Sequence, residues 1–300
     1  MIDINQLNEK FKIEGVLTFK KLKNNLICLV VSNQYADATI SLYGAQITSF
    51  RPKKEVEILW LSPMSYYEEG KAIRGGIPVC FPWFGPHKSD PAKPQHGFGR
   101  LMYWELMEVT ENTHGETQIR LELTSSEITK AYWPYEFFAE MTFTIGKTLK
   151  VTLKVTNTSP IQFDYSCALH TYFNLSAIED ITIEGLKGTR YYKNGEPGEF
   201  IQESSKLKIH QVEDRHYYDT SATCFIEDPK FRRKIMVAKS GSKTTTVWNP
   251  GAANCHKTSD MPNEAYRRFV CIEAVNSLND TVCITPGESH ETSAVIGLKE

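Results

Sequence analysis

Strict alternation of apolar and polar side chains between residues 137 and 156 constrains this chain more than any other feature. Phe137, Ala139, Met141, Phe143 and Ile145 recur at every second position. After Gly146-Lys147, Leu149, Val151, Leu153 and Val155 do so again, with Lys150, Thr152, Lys154 and Thr156 between them. A period of two sends successive side chains to opposite faces of extended backbone, so both runs read as strands with one face on a core, joined as a hairpin. Further alternating or short apolar runs lie at 15–19, 26–31, 38–42, 57–61, 117–123, 161–169, 181–184, 234–238, 244–248, 269–275 and 289–296. Many short strands separated by turn residues predict an all-β fold, a large antiparallel β-sandwich rather than a parallel α/β sheet. Helix is scarce: Asp3 can cap a short amphipathic helix whose Ile4, Leu7 and Phe11 share a face. No repeat, low-complexity linker or composition break divides the 300 residues, so a single domain over 1–300 is expected. The long irregular stretches are 62–99 and 251–267, both rich in Pro, Gly and polar residues. Loops of that length in a compact domain are usually functional or disordered, and the first is aromatic, which favours an ordered surface that meets a ligand.

Charge narrows the functional classes. With 34 Lys+Arg against 36 Asp+Glu the net charge is -2, which leaves no global basic field for nucleic acid or a membrane surface. The seven cysteines, Cys28, Cys80, Cys167, Cys224, Cys255, Cys271 and Cys283, are odd in number and contain no CxxC pair, so neither a disulfide scaffold nor a structural zinc site is expected. The first residues carry an acid where a secretory signal would carry positive charge, and no run approaches the ~18 apolar residues of a membrane span. A soluble, cytoplasmic protein, monomeric by default, is the expectation.

Four segments could carry chemistry. In 72–85, AIRGGIPVCFPWFG, glycines 75 and 76 permit unusual backbone, prolines stiffen the path, and Phe81, Trp83 and Phe84 offer flat faces suited to sugars. Arg74 at its entrance is a planar donor suited to phosphate or carboxylate; the same residues also make a rigid loop with core aromatics and a surface arginine. In 95–100, QHGFGR, the glycines let Gln95, His96 and Arg100 converge on a small ligand, or form a plain turn with a surface histidine. For CALHTYFNL, residues 167–175, the strand reading from 161 puts Ile161, Phe163, Tyr165, Cys167 and Leu169 on one face and Gln162, Asp164, Ser166, Ala168 and His170 on the other. His170 there is either an acid near neutral pH or a structural donor. In FVCIEAVN, residues 269–276, Glu273 sits inside an almost wholly apolar strand. A buried carboxylate is costly unless paired or hydrogen-bonded, which makes Glu273 the strongest candidate for a catalytic base, with a structural ion pair as the other reading. Smaller signals are EDRHY at 213–217, where Asp214 could accept sugar hydroxyls, and TTTVWNP at 244–250. Gly146-Lys147-Thr148 fails as a phosphate-binding P-loop because Met141 stands where the upstream glycine is required.

In order and spacing, IRGGIPVCFPWFG, QHGFGR, ALHTYFN, EDRHY, VWNP and CIEAVN resemble the glucose-6-phosphate 1-epimerase (hexose-6-phosphate mutarotase) branch of the aldose 1-epimerase family, over nearly the whole chain. The resemblance implies a galactose-mutarotase type of β-sandwich whose concave face holds the sugar. It implies His170 as general acid, Glu273 as general base, Arg74 and Arg100 toward the substrate phosphate, and Gln95 and Asp214 as substrate-binding residues; His96 belongs to the same motif. The chain departs from the family pattern after VWNP, where Gly251 replaces an aromatic and 251–267 is altered. The implied reaction interconverts the α and β anomers of a hexose 6-phosphate. Ring opening needs the anomeric O1–H deprotonated while O5 is protonated, which a flanking acid and base supply without metal or organic cofactor. The rivals are an aldose 1-epimerase for unphosphorylated sugars, a non-catalytic carbohydrate-binding protein, and a lyase or glycosidase, the last disfavoured because hydrolysis usually wants two carboxylates.

Overall fold

The computed structural model describes residues 3–299. Two eight-stranded antiparallel sheets dominate it, with a four-stranded sheet and a two-stranded ribbon beside them. The first large sheet runs in the spatial order Thr182–Glu184, Cys224–Asp228, Arg233–Ser240, Ser289–Leu298, Leu149–Asn157, Phe137–Ile145, Thr117–Thr124 and Glu105–Glu111. The predicted hairpin is part of it, in register from Phe137 opposite Asn157 to Ile145 opposite Leu149. Its alternate residues, from Phe137 to Ile145 and from Leu149 to Val155, are buried. Burying each large apolar side chain is worth ~1.5–3 kcal/mol, so a one-residue slip, which would turn the whole row to water, is strongly disfavoured.

The second large sheet carries the order Glu196–Ile201, Arg190–Lys193, Glu213–Tyr217, Thr244–Asn249, Phe269–Asn276, Cys167–Leu169 and Val79–Cys80, and Tyr172–Asn174 also pairs with Phe269–Asn276. Phe269–Asn276 is buried along its full length, as expected for a strand covered on both faces. The four-stranded sheet is a meander of Leu17–Lys21, Ile27–Ser32, Ala36–Ser41 and Gln46–Pro52. One apolar cluster joins all three, with Leu29 and Ile40 from the meander, Met141 and Phe143 from the first sheet, and Val247 and Ile272 from the second. The helix Ile4–Phe11 starts at Asp3, whose carboxylate accepts from the Asn5 N–H. All seven cysteines are free, six buried and Cys283 exposed. Among the described residues no helix is long and apolar enough to cross a membrane.

Three segments differ from the alternation-based expectation. Residues 57–61 form only isolated bridges, Leu59 to Phe173 and Leu61 to Gly75, because the Glu57 carboxylate itself accepts from the N–H groups of Phe50 and Leu59. The run 161–169 breaks at Ser166 into Phe163–Tyr165, paired with Val282–Ile284, and Cys167–Leu169, in the second large sheet. Ser166 is tied to the aromatic loop instead: its N–H donates to Pro82 O and its hydroxyl accepts from the Phe84 N–H. Ile161, placed on the apolar face by periodicity, is exposed. The stretch 251–267, read as irregular, opens with a helix, Gly251–His256, and includes a single 3-10 turn, Ala265–Arg267.

Candidate active site

The register of the second sheet builds the site as two cross-strand rows. Tyr192 lies opposite His216, His216 opposite Thr246, and Thr246 opposite Glu273. The next row aligns Asp214 with Trp248, Trp248 with Cys271, and Cys271 with Tyr172. Directly opposed residues of neighbouring strands hold their side chains close on one face, and Tyr192, His216, Thr246, Glu273, Asp214 and Trp248 all line one cavity of about 960 Å³. The first row has a fifth member. Pairing of Leu169 with Ala274 and of Tyr172 with Cys271 puts His170 opposite Glu273.

His170 Nε2 lies 3.4 Å from Glu273 Oε1, and both side chains are nearly fully buried. Among the described residues, Nδ1 of His170 and Oε2 of Glu273 have no hydrogen-bond partner, which is rare for buried polar atoms and calls for a ligand or another explanation. Burial, then the positive charges of Arg100 and Arg74, push the His170 pKa down to about 3. Burial, then the charge of Asp214, raises that of Glu273 well above its ordinary value. The neutral imidazole and the protonated carboxyl are therefore the favoured pair in the free site. That pair and the imidazolium–carboxylate pair hold the same number of protons, so transfer across the 3.4 Å contact converts one into the other.

All seven residues singled out in the sequence, His170, Glu273, Arg74, Gln95, His96, Arg100 and Asp214, line this cavity. The loops that bring them are zipped together: Phe81 N–H donates to His96 O, His96 N–H to Gly85 O, and Gly99 N–H to Phe81 O. His96 and Gly97 both have positive φ, and a Cβ on Gly97 would collide with the carbonyl oxygen of Phe81. Glycine is thus required there for the two loops to meet. The His96 ring is anchored on one side, because its Nδ1 accepts from the Gly85 N–H at 3.1 Å and the ring lies tilted against Phe84. Asp214 accepts from His216 Nε2 at 3.1 Å and from Asn194 Nδ2 at 2.9 Å; burial raises its pKa, and these two hydrogen bonds more than offset that and hold it below the ordinary value.

The two arginines are unequal. Arg74 Nε donates to both oxygens of Asp260 at 3.1 Å, and its Nη1 donates to Tyr172 OH at 3.1 Å. Arg100 donates from Nη2 to the Gln95 carbonyl at 2.8 Å, while its Nε is buried without a protein partner. Burial lowers the pKa of Arg100, and the neighbouring charge of Arg74 lowers it further. One carboxylate thus serves two partly buried guanidiniums, which leaves local positive charge for an anion.

Sequence reasoning missed four contributors. His216 and Trp248 stood in segments noted only as small signals, Tyr172 lay in CALHTYFNL without being singled out, and Asp260 lay in a stretch read as irregular. His170, Cys271 and Glu273 each bring one ligand atom within 4.8 Å of the other two. Burial first and Glu273 second raise the Cys271 pKa, which favours the thiol in the free site.

The comparisons with known proteins identify the family. The family model described as aldose 1-epimerase matches residues 28–297. A protein of Escherichia coli (strain K12) that bears the name "Putative glucose-6-phosphate 1-epimerase" is 36% identical over 262 residues, 87% of each chain. A crystal structure from Salmonella typhimurium, described as "a putative mutarotase (YeaD)", superposes with a TM-score of 0.90 at 31% identity over 99% of both chains. A galactose mutarotase related enzyme of Lactobacillus acidophilus, 17% identical, shares the fold with a TM-score of 0.72 over 91% of this chain and 97% of that one. The sandwich is therefore of the galactose mutarotase-like type, and this chain belongs to the aldose 1-epimerase family.

Proposed function

We propose that this protein interconverts the α and β anomers of hexose 6-phosphates such as glucose 6-phosphate, with His170 as general acid and Glu273 as general base. The observation that carries the chemistry is the facing pair, His170 Nε2 and Glu273 Oε1 at 3.4 Å, at the wall of the cavity. Opening the ring breaks the C1–O5 bond. Glu273 takes the O1 proton as His170, in the imidazolium–carboxylate form of the pair, gives one to O5. The aldehyde turns about C1–C2 and recloses on its other face as Glu273 gives its proton back to O1 and His170 takes one back from O5. Each group supplies about 10²–10⁴-fold.

The phosphate assignment follows from connectivity. In a hexopyranose 6-phosphate the chain O5–C5–C6 leads from the protonated ring oxygen to the phosphate, so the anion site must lie on the side of the acid. Arg74 contacts Tyr172, against whose ring His170 lies parallel, and Arg100 lines the same cavity with an unpartnered Nε. The name of the Escherichia coli relative carries the same substrate. Asp214 and Gln95 are the hydroxyl-binding groups of this reading, and the protein works on this small molecule as a monomer in the cytoplasm, without a cofactor.

The test is the split between substrates. Replacing Arg100 by Met should raise KM for glucose 6-phosphate about tenfold or more, the size of one charge-assisted contact, and leave KM for glucose nearly unchanged. Equal effects on both sugars would make it a neutral-sugar epimerase.

A further inference from the structure

We propose that Arg74, Tyr172 and His170 form a relay through which a phosphate-class dianion seated on the Arg74–Arg100 pair activates the His170–Glu273 centre. The phosphate of the substrate then contributes to the chemical step as well as to its binding. This rests on the phosphate reading above.

The relay is visible as an unbroken set of contacts. Arg74 is fixed at one end, because both oxygens of Asp260 hold its Nε and the Ser65 hydroxyl accepts from its backbone N–H. Asp260 is in turn anchored by the Ser62 hydroxyl, which donates to its backbone carbonyl at 2.6 Å. From this clamp the guanidinium reaches Tyr172 OH with Nη1. Tyr172 is buried, and its ring lies against the His170 imidazole with centroids 4.8 Å apart and planes 16° from parallel. Trp248 stands edge-on to both rings, so any movement of Tyr172 is passed to the imidazole rather than absorbed. Close-packed interiors transmit such shifts.

Charge acts in the same direction. Asp260 offsets one of the two guanidiniums, and among the described residues no carboxylate lies within ion-pair distance of Arg100. The remaining positive charge opposes a proton on His170, and the acid must carry one to protonate O5. A dianion on the arginines cancels that charge and shifts the shared proton from Glu273 toward His170, which is the reactive form. An interaction that aids the reactive form more than the resting form raises kcat, not only affinity. Tyr172 is a positioning residue in this account, since it acts through His170 and not on the sugar.

The experiment uses D-xylose, which is glucose without C6 and so leaves room at the arginines. Its α/β exchange is followed by NMR with the full-length protein, with and without inorganic phosphite, and the enzyme-free rate in the same buffer is subtracted. The expected result is a saturable acceleration of about tenfold or more, the scale of one charge-assisted contact, that disappears in Arg100→Met. Tyr172→Phe should lower kcat for glucose 6-phosphate more than for xylose alone and leave KM for glucose 6-phosphate within about twofold, a split that a merely structural role for the hydroxyl would not produce. Phosphite that inhibits or does nothing, in a protein that prefers glucose 6-phosphate to glucose, overturns the relay and leaves the proposed function standing. No preference for glucose 6-phosphate would remove the phosphate reading and the relay together.

Discussion

His170 stands directly opposite Glu273 across the antiparallel pairing of Cys167–Leu169 and Tyr172–Asn174 with Phe269–Asn276, with Nε2 and Oε1 3.4 Å apart. Two strand segments on the same partner strand leave a gap of two residues, His170 and Thr171, between their ladder pairs. The backbone is held there by other bonds: His170 N–H donates to Pro78 O and Thr171 N–H to Leu169 O. The two side chains are thus positioned by sheet register, and the surrounding core resists their displacement.

Because the two groups share one proton, they should fail together. Glu273→Gln and His170→Asn are each expected to keep the fold and lower kcat by about 10²–10⁴-fold. The double variant should be little worse than the poorer single, as for groups acting as a unit. Anomer exchange measured by NMR for the three variants checks this, and near wild-type turnover in either single variant would move that residue out of the mechanism.

The pair also has a signature in stability. Glu273 has a folded pKa raised above its unfolded value near 4.5, so its contribution is present at low pH and is lost as pH rises from there through the folded value. His170 has a folded pKa depressed to about 3 from 6.5, so its contribution is present above 6.5 and is lost as pH falls through that window. The two slopes oppose each other where their windows overlap, above 4.5 and below 6.5. Glu273→Gln, which carries no such loss, should therefore gain in melting temperature relative to wild type as pH rises from 4.5. A difference that stays flat from pH 4.5 upward would mean that Glu273 ionises as readily in the folded protein as in the unfolded chain.

Much of this was legible in the chain, for identifiable reasons. The hairpin over 137–157 announced itself because one face is core and the other solvent. Glu273 stood out because a lone carboxylate in FVCIEAVN contradicts its surroundings. The face shared by Asp164, Ser166 and His170 was read correctly, since all three line the cavity, although the strand that carries them is broken by ties to Pro82 and Phe84. The strands Glu105–Glu111 and Glu196–Ile201 escaped because they are sheet edges with mostly exposed or half-exposed side chains, and edge strands need no alternation. Asp260 escaped because its importance lies in a contact to Arg74, 186 residues away, which no local pattern encodes.

The aromatic floor should serve phosphorylated and neutral sugars alike. Trp248 lines the cavity edge-on to His170, with ring centroids 5.8 Å apart, and offers an aromatic surface to a sugar. Trp248→Ala should raise KM for glucose and glucose 6-phosphate by a similar factor of about ten, in line with losing ~0.5–1.5 kcal/mol of aromatic contact together with buried area. A selective effect on glucose 6-phosphate would place the phosphate, not the ring, against the indole.

The loop junction should be intolerant of a single methyl group. Gly97 has φ +72° and a Cβ there meets the Phe81 carbonyl, so Gly97→Ala should cost about 1–3 kcal/mol or more in thermal or denaturant unfolding. It should also lower activity, since Gln95, His96 and Arg100 move with the loop. Wild-type stability in this variant would show that the close approach to Phe81 is not needed.

The most direct test is proton NMR exchange between the α and β anomers of glucose 6-phosphate with the purified wild-type protein, with glucose and galactose as parallel substrates. The account predicts enzyme-dependent exchange that is fastest, at equal subsaturating concentration, for glucose 6-phosphate. Exchange no faster than the spontaneous rate would contradict the assignment of His170 and Glu273 as a working acid–base pair.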